Sequence, residues 1–471
     1  MPALFLLIPL LGVIIINLPG RKIGNRMAVW AALAVAVIQI GMAVTSGSMV
    51  WQGLAQVVSL PFGASLQIDL FTAIVLATTG LIAAMSLIVD KNAENPRSLY
   101  FGSLVLVAMM GMNGVVMVRD IFSLYVFLEI TAVASFVLIS INKERDPLEG
   151  AFKYFVMSAV ATVLILAAIA ILLLTVGSVG FKAVADNLSA GGVSAQVIVA
   201  LILFIAGLSI KAGLIPFHAW LPDAYSSAPP AVSTLLAGII TKVTGVYTIM
   251  RLITDVFSMS SIIKTAFMVL GAVSIVIGAL AAMRQDDFKR MLAYSSISQV
   301  GYIILSAGLG TPLGFAAALL HFFNHATFKS LLFVNAAAVE SRSGTRQMSR
   351  LGGLASKMPI TGGTSVVGFL STAGVPPLSG FWSKLLIVIA LWQAGAYFYA
   401  VVAVLASILT LAYFLIMQRR VFFGKLREGL ESIREAGAAA VVPSLILAGI
   451  TVLVGLLFPL VLLLMQSQGL I

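Results

Sequence analysis

The chain has 471 residues, of which 61% are hydrophobic and 10% charged, and its mean hydropathy is +1.11. Globular chains hold about 45–50% apolar residues, so this composition is that of a polytopic membrane protein with no polar stretch left for a soluble domain. Zero cysteines exclude disulfides, thiol nucleophiles, Cys-ligated zinc and iron–sulfur clusters held by this chain, so redox chemistry would have to sit in a partner and no cofactor is expected here; the excess of 28 Lys+Arg over 17 Asp+Glu reads as membrane topology rather than affinity for nucleic acid.

At about 20 apolar residues per span, the sequence predicts an all-α membrane protein of about fourteen transmembrane helices. The first, near 2–18, is the run "MPALFLLIPLLGVIIINL", which has no cation before it and Arg21, Lys22 and Arg26 after it. That order predicts a retained span rather than a cleaved signal peptide. The others fall near 27–46, 69–89, 98–118, 120–141, 151–177, 194–225, 229–252, 262–283, 290–309, 312–340, 361–394, 397–418 and 440–466. With the N-terminus outside, twenty cations lie in inward loops, Arg21, Lys22, Lys91, Arg97 and Lys289 among them, against four in outward loops, Arg119, Lys182, Arg251 and Lys264. The positive-inside rule then places both termini outside. The basic run "RRVFFGKLREGLESIREAG", 419–437, reads as a short amphipathic helix at the interface.

Segments 194–225 and 361–394 are too long for simple spans, and proline interrupts both. They read as broken helices. Shifting "KAGLIPFHAWLPD" by 161 residues places Ala212 on Ala373, Gly213 on Gly374, Pro216 on Pro377 and Trp220 on Phe381. A weaker echo pairs "YFVMSAVATVLIL" with "LLHFFNHATFKSLL". The chain therefore divides into three N-terminal helices (1–97), two five-helix repeats (98–252 and 253–418) and the basic segment with the last helix (419–471). Five is odd, so the repeats would have inverted orientation, a design common in transporters.

The cations that remain are Lys211, Lys242, Lys329 and Lys384, all inside predicted spans, with Glu129 the one carboxylate well within a span. A mid-bilayer charge costs about 2.5–3.5 kcal/mol on insertion scales, so such groups face a bundle interior or water and mark an ion route. Glu129 serves either as a structural hydrogen-bonding group or as the partner of a buried lysine. A Glu129–Lys211 pair would hold the lysine charged when close and release its proton when separated. Lys211 precedes the Pro216 break, too far from either end to snorkel, and Lys242 is about 20 Å into its helix. Lys384 follows the second break, where snorkelling stays open as an alternative.

His321, His325 and Lys329 follow at i, i+4, i+8 on one stripe. A zinc site is poorly served, since no glutamate follows His321 and no third ligand is evident. Proton relay suits this stripe, with a packed, hydrogen-bonded histidine pair as the bland alternative. His218, in the first break, divides evenly between relay and structure. Asp223 would either feed protons or cap the following turn.

These residues resemble a known family, the antiporter-like subunits shared by respiratory complex I, membrane-bound hydrogenases and Mrp-type sodium/proton antiporters. The resemblance covers nearly the whole chain and rests on "RDIFSLYVFLEI", "KAGLIPFHAWLPDAYSSAPPAVSTLLAGIITKVTGVY", "DDFKRMLAYSSISQVGY", "HFFNHATFKSLLF" and "GVPPLSGFWSK". It implies that Glu129, Lys211, Lys242 and Lys384 match the family's buried charges of the fifth, seventh, eighth and twelfth helices. It further implies that His321, His325 and Lys329 line a central hydrophilic axis between two half-channels. The chain ends soon after its last span, without the long lateral helix of the largest complex I paralogue, and Lys384 makes it look most like the Mrp D-type subunit and its hydrogenase counterpart.

The resemblance implies a proton-translocating subunit in the plasma membrane of a prokaryote, passing H⁺ along Glu129, Lys211, Lys242, His321/His325 and Lys384. Its partners would be other membrane subunits, homologous antiporter-like chains among them, with Na⁺ as a second candidate cargo and no nucleic acid. The chain has no redox or hydrolytic centre of its own, and enzymatic turnover would belong to an oxidoreductase complex around it. Two rival classes stand beside this reading: a stand-alone secondary transporter of a small solute, and a scaffold whose buried charges only fix helix register.

Overall fold

A computed structural model describes residues 1–18, 25–59, 64–90, 98–191, 194–257 and 261–467. Arg21, Lys22, Lys91 and Arg97 of the topology count lie outside them. Helices α1 (Leu4–Asn17), α2 (Asn25–Trp51), α3 (Leu70–Val89), α4 (Ser98–Met117), α5 (Ile121–Ile139) and α6 (Arg145–Val176) open the chain. Ten helices among the described residues are long and apolar enough to cross a membrane.

Within a bilayer every backbone polar group must be satisfied internally, and short polar side chains at the helix starts do much of this. Asp69 accepts from Thr72 N (2.8 Å) at the start of α3, and Asp120 accepts from Ser123 N (2.7 Å) at the start of α5. The same device opens α8 (Ala195–Ala212), where Ser194 accepts from Val197 N, and α13 (Phe288–Ala307), where Asp287 accepts from Arg290 N. Each of these caps stabilises its helix by about 1 kcal/mol.

The chain forms two compact units, Met1–Gly213 with Ser227–Met259, and Leu214–Ser226 with Ser260–Ile471. In the first, α2 packs on α3, α4 on α5, and α6 on α8. Two elements there lie outside the predicted spans, and the first of them is not helical. Strands β1 (Gln56–Ser59) and β2 (Ser65–Ile68) form an antiparallel hairpin, Gln56 opposite Ile68, whose buried side chains are Leu66 and Ile68. Helix α7 (Phe181–Gly191) buries Phe181, Val184 and Leu188, a 3–4 spacing that marks one apolar face.

The broken helices are built alike at their first step. Helix α8 stops at Gly213 (φ 67°) ahead of a cis Ile215–Pro216 bond, and α9 (Trp220–Ser227) follows. Helix α15 (Pro359–Ala373) stops at Gly374 (φ 86°) ahead of a cis Pro376–Pro377 bond, and α16 (Ser379–Gln393) follows. Glycine is needed at both positions because a side chain strains the left-handed backbone. Residues 214–226 thus belong to the second unit, although they lie in mid-sequence of the first predicted repeat.

Between α10 (Pro230–Leu235) and α11 (Thr248–Asp255) the helix widens into two π-helical stretches, Leu236–Ile240 and Lys242–Tyr247. The second unit continues through α12 (Ser261–Met283), α13, α14 (Pro312–Ser343), α17 (Tyr397–Val421), α18 (Ala438–Leu456) and α19 (Phe458–Ser467). Helix α14 packs against α13, α15, α16 and α18, so it runs through the middle of this unit.

The basic run 419–437 is not an amphipathic helix. Helix α17 carries Arg419 and Arg420 to its end, and beyond it Gly424 (φ 88°) and Gly429 (φ 84°) take left-handed backbone that no helix continues through. Its charge is spent locally: Glu435 accepts from Ile360 N (2.7 Å) and Thr361 Oγ1 (2.6 Å), satisfying the start of α15.

Two cations assigned to loops are in fact buried. Arg251, 7% exposed, donates to Asp69 Oδ2 (2.5 Å), Thr72 Oγ1 (2.8 Å) and Tyr247 Oη (3.1 Å). Burial by itself would push the Asp69 carboxyl up, but the charges of Arg251 and Arg119 outweigh it and hold Asp69 below the usual carboxylate range. Lys289, 2% exposed, pairs with Glu340 Oε2 at 2.6 Å. Both lie near helix ends, where spacing alone does not separate a loop charge from a buried one.

Candidate functional site

In the first unit, the fifth and eighth helices bring Glu129 and Lys211 together. Lys211 Nζ lies 2.9 Å from Glu129 Oε1 and donates to Ser158 Oγ at 3.2 Å, while Thr162 donates to the same carboxylate oxygen at 2.7 Å. Ser158 and Thr162 stand four residues apart on α6, one turn of one stripe. The lysine side chain is 3% exposed and the carboxylate 28%. An ion pair this buried recovers its desolvation cost only through such added hydrogen bonds.

Lys242 opens the second π-helical stretch and donates to the carbonyl of Ala237. Among the described residues no carboxylate is paired with it. A wide π turn leaves carbonyls out of register with the i→i−4 ladder, and the ammonium takes one of them. Three residues on, Gly245 lies against the backbone of Ala212, where any Cβ would overlap the Ala212 N and Cα. This contact joins the turn that carries Lys242 to the end of α8 that carries Lys211.

In the second unit, His321, His325 and Lys329 run along α14, about 6 Å of rise between successive members, and all three are buried. The two imidazoles stack with centroids 6.3 Å apart. His321 Nδ1 is 2.9 Å from Ser383 Oγ and its Nε2 3.2 Å from Gln299 Oε1. Lys329 donates to Ser295 Oγ and lies over the Phe414 ring. Lys384 sits 4.5 Å from the centre of the Tyr302 ring, close enough for a cation–π contact, and donates to Ala373 O at 3.5 Å. At 5% exposure it does not snorkel. Tyr302 also lies 5.8 Å from the His321 ring, so the aromatic side chain neighbours both the histidine and the lysine.

Asp223 accepts from Arg290 Nη1 at 2.5 Å, and the His218 ring lies 6.2 Å from Tyr294; both contacts are within the second unit. Sequence reasoning passed over Ser158, Thr162, Gln299 and Ser383, each of which bonds directly to a candidate residue. Serine and threonine are unremarkable in apolar helices, and only their spacing from the buried charges in space, not in sequence, marks them.

Residues 118–410 match the family described as NADH:quinone oxidoreductase/Mrp antiporter, transmembrane. The chain belongs to that family. All nine candidate residues lie inside the matched stretch. The chain is 36% identical to the NADH-quinone oxidoreductase subunit N of Desulforudis audaxviator, over 81% of its own length and 78% of the relative's. It is 29% identical to the D-type Na⁺/H⁺ antiporter subunit of Alkalihalophilus pseudofirmus, over 93% and 87%. Among solved structures, a chain of the Mrp complex from Dietzia sp. superposes with a TM-score of 0.91 at 26% identity, covering 98% of this chain and 95% of that one. The structural likeness thus extends over nearly the full chain.

Proposed function

We propose that this chain is a proton-translocating subunit of a multi-subunit membrane complex. The observation that carries the proposal is the Glu129–Lys211 pair at 2.9 Å, its lysine buried, inside a fold shared with chains of antiporter and quinone-reducing complexes. While the pair is closed, the carboxylate keeps the ammonium charged. Moving Glu129 away leaves a desolvated ammonium with Ser158 alone, which drives its proton onward. Lys242, beyond the Gly245 contact, is the next acceptor, and His321, His325 and Lys384 continue the chain, with Lys329 at the far end of the stripe. His218 and Asp223 are proposed as relay groups at the entrance.

The same reading gives about fourteen spans if α8 with α9, α10 with α11, α15 with α16, and α18 with α19 each cross once. The matched breaks at Gly213 and Gly374 support inverted five-helix repeats at 98–252 and 253–418, and the charge asymmetry of the loops supports both termini outside. The partners are other membrane subunits, homologous antiporter-like chains among them, in a prokaryotic plasma membrane. The Mrp D-type subunit is the favoured counterpart, and Na⁺ is the second cargo in that case.

Affinity purification of the tagged chain in mild detergent, followed by mass spectrometry of what accompanies it, tests the assembly. We expect a stoichiometric complex containing at least one further membrane chain of this family. A lone monomer that transports an organic solute would overturn the proposal in favour of a stand-alone transporter.

A further inference from the structure

We propose that Ser383 is a hydroxyl rotor that lets His321 gain and lose a proton without stranding a buried hydrogen-bonding group. The inference rests on the proton path above and adds a positioning residue to it. Ser383 Oγ lies 2.9 Å from His321 Nδ1 and 3.2 Å from the carbonyl of Gly380, and both side chains are fully buried. On the other side of the ring, Nε2 faces Gln299 Oε1 at 3.2 Å.

A serine hydroxyl has one hydrogen and two lone pairs. With His321 neutral and its proton on Nε2, that N–H donates to Gln299 Oε1, and the Ser383 O–H donates to the Nδ1 lone pair. When a proton adds to Nδ1, the new N–H donates to Ser383 Oγ, and the hydroxyl hydrogen turns away to the Gly380 carbonyl. One N–H bond forms on the imidazole and one breaks on the proton donor of the chain, and Ser383 keeps its own hydrogen throughout. Both charge states of the ring therefore keep two partners, and the only motion required is rotation about one Cβ–Oγ bond. Without the hydroxyl, Nδ1 loses this partner whether it carries a lone pair or a proton, and removing one side of a buried hydrogen bond costs more than the bond itself contributes.

The surroundings fit this role. His325 stacks on His321 at 6.3 Å, Tyr302 stands at 5.8 Å, and Lys384, the residue after Ser383, lies over the Tyr302 ring. Gly380 is at the first turn of α16, just past the break, and its amide donates to Ser371 Oγ at 3.1 Å. The charged state of His321 is thus tied to the backbone of the broken segment.

The test uses the whole purified complex in proteoliposomes, with proton movement followed by a pH-sensitive dye. We expect Ser383→Ala to slow translocation about tenfold, a modest share of what positioned proton transfer supplies, and Ser383→Thr to restore most of the rate. His321→Ala should slow it at least as much, and the Ser383→Ala/His321→Ala double variant should be no slower than His321→Ala alone. Additive losses, or a wild-type rate in Ser383→Ala, would overturn the rotor. Lys211→Ala in the same preparation separates the two levels: if it is silent while Ser383→Ala is unaffected, only the rotor fails. If Lys211→Ala translocates at full rate, the underlying path fails and the rotor with it.

Discussion

Replacing Lys211 by alanine is expected to abolish proton translocation in the assembled complex, a loss of at least about a hundredfold, in the range that a positioned proton-transfer group contributes. The ammonium bonds both Glu129 and Ser158. In the proposed path its removal takes away the first lysine carrier. Breaking a buried pair by deleting one member can cost about 3–5 kcal/mol, but Glu129 keeps the Thr162 bond at 2.7 Å and is 28% exposed, so the carboxylate is not stranded. Assembly should survive. Lys211→Arg sharpens the result, because arginine retains the charge and never gives up its proton: dye-monitored proteoliposomes should find this variant as silent as alanine. A working arginine variant would mean that charge alone suffices.

Adding a single methyl group at Gly245 is expected to destabilise the first unit by about 3 kcal/mol, at the upper end of overpacking costs. The new Cβ would overlap backbone atoms of Ala212, which cannot rotate aside as a side chain would. Relief requires the π-helical turn to draw back from α8, which separates the segments bearing Lys242 and Lys211. Gly363, a helical glycine with open space where its Cβ would stand, provides the control. The melting temperature of the purified complex should fall clearly in Gly245→Ala and hold or rise slightly in Gly363→Ala. Equal melting temperatures would contradict the close approach.

The buried charges were legible in the sequence because charge is costly in an apolar segment: Glu129, Lys211, Lys242, Lys329 and Lys384 stand out from their neighbours by type alone. Both breaks were legible as well, from proline and glycine side by side at Gly213–Pro216 and Gly374–Pro377. Other features had no such contrast. The π-helical widening around Lys242 comes from "LLAGIITKVTGVY", which has the residues of an ordinary helix, and its close approach to Ala212 at Gly245 is visible only in the fold. Arg251 and Lys289 lie close enough to helix ends to count as loop charges, and their burial follows from acidic partners far away in sequence, Asp69 and Glu340. Ser383 and Gln299 acquire meaning only once the fold brings them to His321. The segment after α17 failed for a local reason, since Gly424 and Gly429 outweigh its helical charge pattern.

The central claim is that Glu129 and Lys211 act as one unit whose opening moves a proton. Proton translocation by Glu129→Gln, Lys211→Ala and the double variant, measured in the same reconstituted complex, tests it most directly. The account predicts that Glu129→Gln, which keeps the shape and loses the charge, is slowed at least about tenfold, and that the double variant is no worse than Lys211→Ala alone. A Glu129→Gln variant that translocates at the wild-type rate would contradict it.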